Sequence, residues 1–212
     1  MKIKPGELRL YAVTDRAWAH DADGVMDQVR AAIKGGATFV QLREKELDPR
    51  SFLSEARWIV ELCHRLGVRC VINDNVDVAL LSGADGVHVG QEDMACEKAR
   101  AMLGPGRIIG VSAHNVEEAR AAEAAGADYL GSGAAFPTDT KDVRGHFVTP
   151  EGFRAITGAV SIPVVAIGGI TKENLSQLAG CGLAGAAVVS ALFAQPDVEA
   201  AARELLPLCE AL

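Results

Sequence analysis

The sequence predicts an α/β protein, a single (β/α)8 TIM barrel over 1–212 with its active site at the C-terminal rim of the strands. Three observations carry this expectation. Polar or glycine-rich residues fall at the same place just past successive short apolar runs: Gln41 to Lys45, Ile72 to Asp74, Gly86 to Asp93, Val111 to His114, Phe136 to Lys141, Ala166 to Ile170 and Val188 to Ala191. Functional groups gathered at one end of many strands are what a parallel barrel presents at its C-terminal rim. A helix-to-strand junction also recurs, as Gly-Gly-Ala-Thr before Phe39, Gly-Ala-Asp before Gly86 and before Tyr129, and Gly-Leu-Ala-Gly before Ala186. In each, glycine closes a helix in a left-handed turn and the next strand starts at once. Finally, apolar residues make up 49% and aromatics only 5%, so the core is built from the Ala, Val, Ile and Leu that fill a parallel sheet.

The elements follow in order. The first strand, at 8–15, runs into TDRAWAHD and not a glycine fingerprint, which argues against a doubly wound nucleotide fold. A helix at 24–35 leads through the first glycine junction to the strand at 39–43. Asp48-Pro49 places a cap before a proline at the first helical position and opens the helix at 49–66. The strand at 68–73 and helix at 75–83 end at Gly-Ala-Asp, and the strand at 86–89 and helix at 94–103 follow. After the strand at 108–112, Asn115-Val-Glu-Glu118 has the shape of a capping box for the helix at 115–125. The strand at 129–134 is followed by the longest irregular stretch, Phe136 to Val148, a candidate lid. Thr149-Pro150 opens the helix at 149–159. The strand at 163–167, helix at 172–180, strand at 186–190 and helix at 197–211 complete eight units.

Composition narrows the function. The formal charge is -7 with no basic stripe, which argues against nucleic-acid and membrane-surface partners. Five cysteines with no C-x-x-C pair indicate neither a disulfide framework nor a thiolate zinc site; they read as small core residues in a reducing cytoplasm. No early apolar segment resembles a secretion signal, and no run reaches the roughly 18 apolar residues of a membrane span.

Arg43 and Lys45 end the second strand two positions apart, on one face if the extended conformation persists. Alone, each reads as a solvated charge. With Lys141 they form a cationic cluster suited to phosphate oxygens. Asp74 and Asp93 close neighbouring strands as hard oxygen ligands for Mg2+, although each also sits where a helix cap would. Ala166-Ile-Gly-Gly-Ile170 and Val188-Val-Ser-Ala191 occupy the usual phosphate site of a barrel, after strands seven and eight. Ser112 and His114 end strand five, with His114 the best-placed acid or base; His88, between Val87 and Val89, reads as a packed interior side chain. His20, His64 and His146 have no readable partners.

YAVTD, VQLREK, IND, DGVHVGQED, GVSAH, FPTDTK, AIGGI and VVSALF, in this order and spacing, resemble the thiamine phosphate synthase family across nearly the whole chain. The resemblance implies a transferase that joins a pyrimidinylmethyl diphosphate to a thiazole phosphate, releasing pyrophosphate, with Mg2+. It also implies residue roles. Gln41, Arg43, Lys45, Asn73, Ser112 and Lys141 would hold the pyrimidine substrate, Arg43, Lys45, Lys141 and Ser112 acting in catalysis; Asp74 and Asp93 would hold the metal. Thr138, Thr140, Gly169, Val189 and Ser190 would contact the thiazole phosphate. Asn75 and Gly131-Ser-Gly-Ala-Ala135 depart from forms common in that family. The alternatives are a thiazole phosphate isomerase using His114, a sugar-phosphate lyase or epimerase using Lys45, and a phosphate-ligand sensor without catalysis. Partners are small phosphorylated molecules, and a homo-oligomer is left open.

Overall fold

In the computed structural model, the described residues are 3–19, 21–138 and 147–212. Among them, strands β1 (Leu10–Val13), β2 (Phe39–Leu42), β3 (Arg69–Asn73), β4 (Gly86–Val89), β5 (Ile108–Ser112), β6 (Tyr129–Gly133), β7 (Val164–Ile167) and β8 (Gly185–Val188) pair in parallel in chain order. Leu10 lies opposite Ala186, so β8 closes on β1 and leaves no sheet edge. Around this barrel run α1 (Ala22–Gly35), α2 (Pro49–Arg65), α3 (Val76–Ser82), α4 (Cys96–Leu103), α5 (Val116–Ala124), α6 (Pro150–Ala159), the four-residue α7 (Ser190–Phe193) and α8 (Val198–Glu210).

The local signals act as chemistry predicts. Asp48 accepts from the Arg50 and Ser51 N-H groups ahead of α2, and Thr149 accepts from Gly152 ahead of α6. Asn115 accepts from Glu118 N-H, while the Glu118 carboxylate returns to His114 N-H and the Asn115 side chain, a capping box displaced by one residue. Gly36, Gly83 and Gly126 adopt φ of 116°, 78° and 91°, the left-handed conformation that costs glycine no Cβ clash. The residue two positions later then staples the preceding strand. Thr38 Oγ1 accepts from Leu10 N-H, the Asp85 carboxylate from Cys70 N-H and the Asp128 carboxylate from Ile109 N-H. The recurring Gly-x-Thr/Asp pattern therefore both ends a helix and fixes a strand pair.

Two elements differ from expectation. The segment 172–180 forms only a 3-10 turn at Leu175–Leu178. Asn174 Oδ1 accepts from Thr171 N-H, a local bond that competes with helix, and Gly180 and Gly182, at φ of 73° and 72°, stop it. The last strand stops at Val188, and Ser190 opens α7 instead of extending β8.

Alternation along the strands separates two apolar cores. Leu10, Ala12, Val40, Leu42, Ile72 and Val87 point outward beneath the helices, whereas Tyr11, Val13, Phe39, Val71, Ile108, Tyr129, Val165 and Ala187 fill the barrel. Each fully buried large side chain contributes about 1.5–3 kcal/mol. Gly110 leaves room for the ring of Tyr129, because a Cβ there would lie 2.1 Å from Cζ.

Candidate active site

Inward positions nearest the rim are polar. Gln41 Nε2 donates to the Tyr11 hydroxyl at 2.6 Å, and Tyr11 and Tyr129 hydroxyls lie 2.7 Å apart across the barrel. His88 contacts Tyr129 through Nδ1 at 2.9 Å and Ser112 Oγ through Nε2 at 3.1 Å. His88 is therefore the packed, hydrogen-bonded interior residue that its apolar flanks predict. Burial pushes both phenols well above their usual range, so both stay protonated.

Above this floor, charged side chains form pairs. Lys45 Nζ lies 2.5 Å from Asp74 Oδ2, and Arg43 Nη1 lies 2.8 Å from Asp15 Oδ2. Asp93 is held above its usual carboxylate value, first by burial and then by its hydrogen bond and charge repulsion with Asp74. Neither aspartate caps a helix. Asn75 caps α3, and α4 has Ala95 at its N-cap position with no side-chain cap. Asp74 instead takes a left-handed φ of 62° with its N-H donating to His88 O at 2.7 Å, and Asp93 Oδ2 accepts from Gly90 N-H at 2.7 Å.

Arg43 and Lys45 reach opposite neighbours, one toward the loop after β1 and the other toward the loop after β3. The shared face expected of an extended chain is lost because β2 ends at Leu42 and the chain bends at 45–47. Glu44 causes the bend: its Oε1 accepts from the N-H groups of Lys45, Glu46 and Leu47. Arg16 anchors Glu44 at 2.6 Å and Glu55 at 2.5 Å. Burial alone would raise the Glu44 carboxyl, but the Glu46 N-H and Arg16 outweigh it and hold it below its usual value.

On the other side of the rim, a cavity of about 500 Å³ is lined by Asp15, Trp18, Thr138, Gly169, Thr171 and Ser190, among others. Gly168 and Gly169 adopt φ of 97° and 62°, and a Cβ on Gly169 would lie 2.3 Å from Pro137 O. Glycine is required because the chain after β6 rests directly on this turn. Val189 packs against the inner core beside the cavity. Thr140, Lys141, His146 and most of the candidate lid lie outside the described residues, as does His20. His114 is exposed, with Nδ1 2.6 Å from the Gly133 carbonyl. His64 pairs with Asp85 at 3.0 Å. Asn73 ends β3 beside His88 of β4, partly exposed toward the rim.

The family model described as thiamine monophosphate synthase matches residues 10–192. The chain belongs to the thiamine monophosphate synthase family. Among relatives of that family, the thiamine-phosphate synthase of Clostridium novyi is 44% identical over 197 residues, covering 93% of this chain and 96% of that protein. The thiamine biosynthetic bifunctional enzyme of Arabidopsis thaliana is 46% identical over 210 residues, and the chain spans only 40% of its length. A solved thiamine phosphate pyrophosphorylase from Pyrococcus furiosus superposes with a TM-score of 0.88 at 40% identity, covering 97% of each chain.

Sequence reasoning missed Asp15, Arg16, Glu44 and Glu55, which orient the loops carrying Arg43 and Lys45. Asp15 sits two positions past inward-facing Val13 and closes the YAVTD motif, and those were its signals.

Proposed function

We propose that this chain condenses 4-amino-2-methyl-5-(diphosphooxymethyl)pyrimidine with 4-methyl-5-(2-phosphooxyethyl)thiazole, giving thiamine phosphate and pyrophosphate. The observation that carries this reading is a divided rim. Lys45, Asp74 and Asp93 group on one side, the Thr138–Gly169–Ser190 cavity opens on the other, and the Arg43–Asp15 pair joins them, since Asp15 lines that cavity. Two phosphorylated substrates would meet at this seam.

The carboxylates fit Mg2+. Asp74 lies close enough to Asp93 to raise the Asp93 carboxyl by hydrogen bonding and charge repulsion, after burial, and among the described residues no third acidic, histidine or cysteine ligand joins them. Mg2+ keeps several waters and takes one or two carboxylates plus substrate phosphate oxygens, which suits such a pair. When bound, the ion would offset charge on the departing diphosphate.

The protein's own part is chiefly electrostatic. Departure of diphosphate from an electron-rich pyrimidinylmethyl group leaves a stabilised carbocation, and the thiazole nitrogen is already nucleophilic, so no strong base is needed. Arg43, Lys45 and Lys141 would stabilise the leaving group's growing charge. Gln41, Asn73 and Ser112 would hold the pyrimidine, and Thr138, Thr140, Gly169, Val189 and Ser190 the thiazole phosphate. Enclosure then supplies proximity and keeps water from the cation. An isomerase would use His114 as acid or base and would have no need of the Lys45, Asp74 and Asp93 group. The buried, unbridged cysteines support a reducing, cytoplasmic setting.

Incubating the purified chain with both substrates and Mg2+ should give thiamine phosphate and pyrophosphate in equal amounts. No product would overturn the assignment. Chelation with EDTA should abolish turnover while the far-ultraviolet circular dichroism persists; full activity in excess EDTA would remove the metal from the reaction.

A further inference from the structure

The reaction above gives no part to the three residues that join Gln41 to Ser112. Gln41 on β2, Tyr11 on β1, Tyr129 on β6, His88 on β4 and Ser112 on β5 form one unbroken line of hydrogen bonds of 2.6, 2.7, 2.9 and 3.1 Å beneath the rim. Barrel interiors are normally filled by apolar side chains. Two fully buried phenols and an imidazole are costly there unless each finds partners, so their retention as a connected set calls for a reason.

Counting donors and acceptors gives the line a direction. Gln41 Nε2 donates to Tyr11, so Tyr11 uses its own proton toward Tyr129. Tyr129 then donates to His88 Nδ1, and the neutral ring donates from Nε2 to Ser112 Oγ. Ser112 keeps its hydroxyl proton for a ligand, and Gln41 keeps its carbonyl Oε1. Reversing only part of the line would direct two donors at one oxygen and strand a buried hydroxyl proton. With a neutral imidazole, the one alternative reverses all four bonds and turns the Gln41 amide over, presenting a donor at Gln41 and an acceptor at Ser112.

The geometry points to Tyr11, Tyr129 and His88 as positioning residues that lock the polarities of Gln41 and Ser112 together, making the pocket selective for an aminopyrimidine edge. Such an edge pairs an exocyclic amino donor with a ring-nitrogen acceptor, and it matches acceptor Oε1 and donor Oγ-H. A 4-oxo pyrimidine offers the opposite pair, a carbonyl acceptor beside a ring N-H donor, and requires the whole line to invert. This inference rests on the pyrimidine reading above.

The test compares kcat/KM for the 4-amino and 4-oxo pyrimidinylmethyl diphosphates in the wild type, Tyr129→Phe and Tyr11→Phe. Both substitutions keep the ring packing and interrupt the line at different points. Each should lower kcat/KM for the amino substrate roughly 5- to 10-fold, the scale of one buried hydrogen bond, and reduce amino-over-oxo discrimination by a similar factor. KM for the thiazole phosphate should not move. Folded variants with unchanged discrimination would overturn the proposal. A double-mutant cycle of Gln41→Ala and Ser112→Ala, read as binding of the amino substrate, gives a second arm should either phenylalanine variant fail to fold. Coupled losses support the locked line, and additive losses reject it. A wild-type chain that forms no thiamine phosphate would instead defeat the assigned reaction, a result separate from retained turnover with unaltered discrimination.

Discussion

Replacing Arg43 or Lys45 by methionine removes a cation while keeping much of the side-chain volume, and the structure ranks the two losses. A unit charge about 4 Å from a developing charge is worth about 4 kcal/mol at an effective dielectric near 20 but about 1 kcal/mol in water. The Arg43 side chain is 22% exposed and Lys45 is 52% exposed, so Arg43 lies nearer the first limit and Lys45 nearer the second. Arg43→Met should therefore slow pyrophosphate release by roughly 10²- to 10³-fold and Lys45→Met by roughly 10-fold. Rapid-quench single turnovers at saturating pyrimidine diphosphate read the step directly. Raising the salt concentration should shrink the Lys45 effect more than the Arg43 effect. Arg43→Met also strips Asp15 of its cation, so urea unfolding must accompany the kinetics. If folded Lys45→Met is as slow as Arg43→Met, local exposure does not set the strength of this clamp and the ranking fails.

Lys141→Ala should lower saturated turnover roughly 10²-fold, as expected for loss of one preorganised charge-stabilising group, and an unchanged rate removes Lys141 from the reaction. Glu44 has its carboxyl below the usual value of 4.5, so its contribution to stability is complete above that pH and is lost as pH falls through the lower folded value. Glu44→Gln should accordingly flatten the decline of the urea midpoint below about pH 4.5, and parallel wild-type and variant profiles would contradict the role given to the Glu44 loop bonds. Gly110→Ala should destabilise the barrel by about 1–3 kcal/mol in urea unfolding, because its Cβ would enter the Tyr129 ring; an unchanged midpoint would show that the ring can move aside.

The sequence made legible whatever is decided within a few residues. Gly83-Ala-Asp85 and Gly126-Ala-Asp128 announce a helix end and a strand start because glycine chemistry is local. Their aspartate staples were not legible, since each bonds a strand 15 or 19 residues earlier in the chain. The same limit hid Asp15 as the partner of Arg43, 28 residues away, and Tyr129 as the partner of His88, 41 residues away. Tyr11 and Tyr129 stand inside apolar runs and read as ordinary core, because a phenol reveals its polar end only when a partner is in view. At 172–180 the error was local. Thr171 and Asn174 form a turn that competes with helix. Asp74 is the converse case, since both a cap and a ligand fit its position. Only its left-handed backbone, with Asn75 taking the cap, separates the two.

The paired charges also say how an acidic protein can take an anionic substrate. Arg43, Lys45, Asp15, Asp74 and Asp93 together bring two cations against three carboxylates, and every cation in that set already has an acidic partner. Among the described residues this group is not a standing positive patch, so bare diphosphate gains little from it on approach. In the proposed reaction, a divalent cation held by Asp74 and Asp93 would release Lys45 from Asp74, turning the ammonium toward the diphosphate. Each ligand would thereby improve the site for the other, and by linkage the effect would be equal in both directions. In that reaction Asp74 would act as a latch on Lys45, pairing with it until metal and diphosphate arrive together.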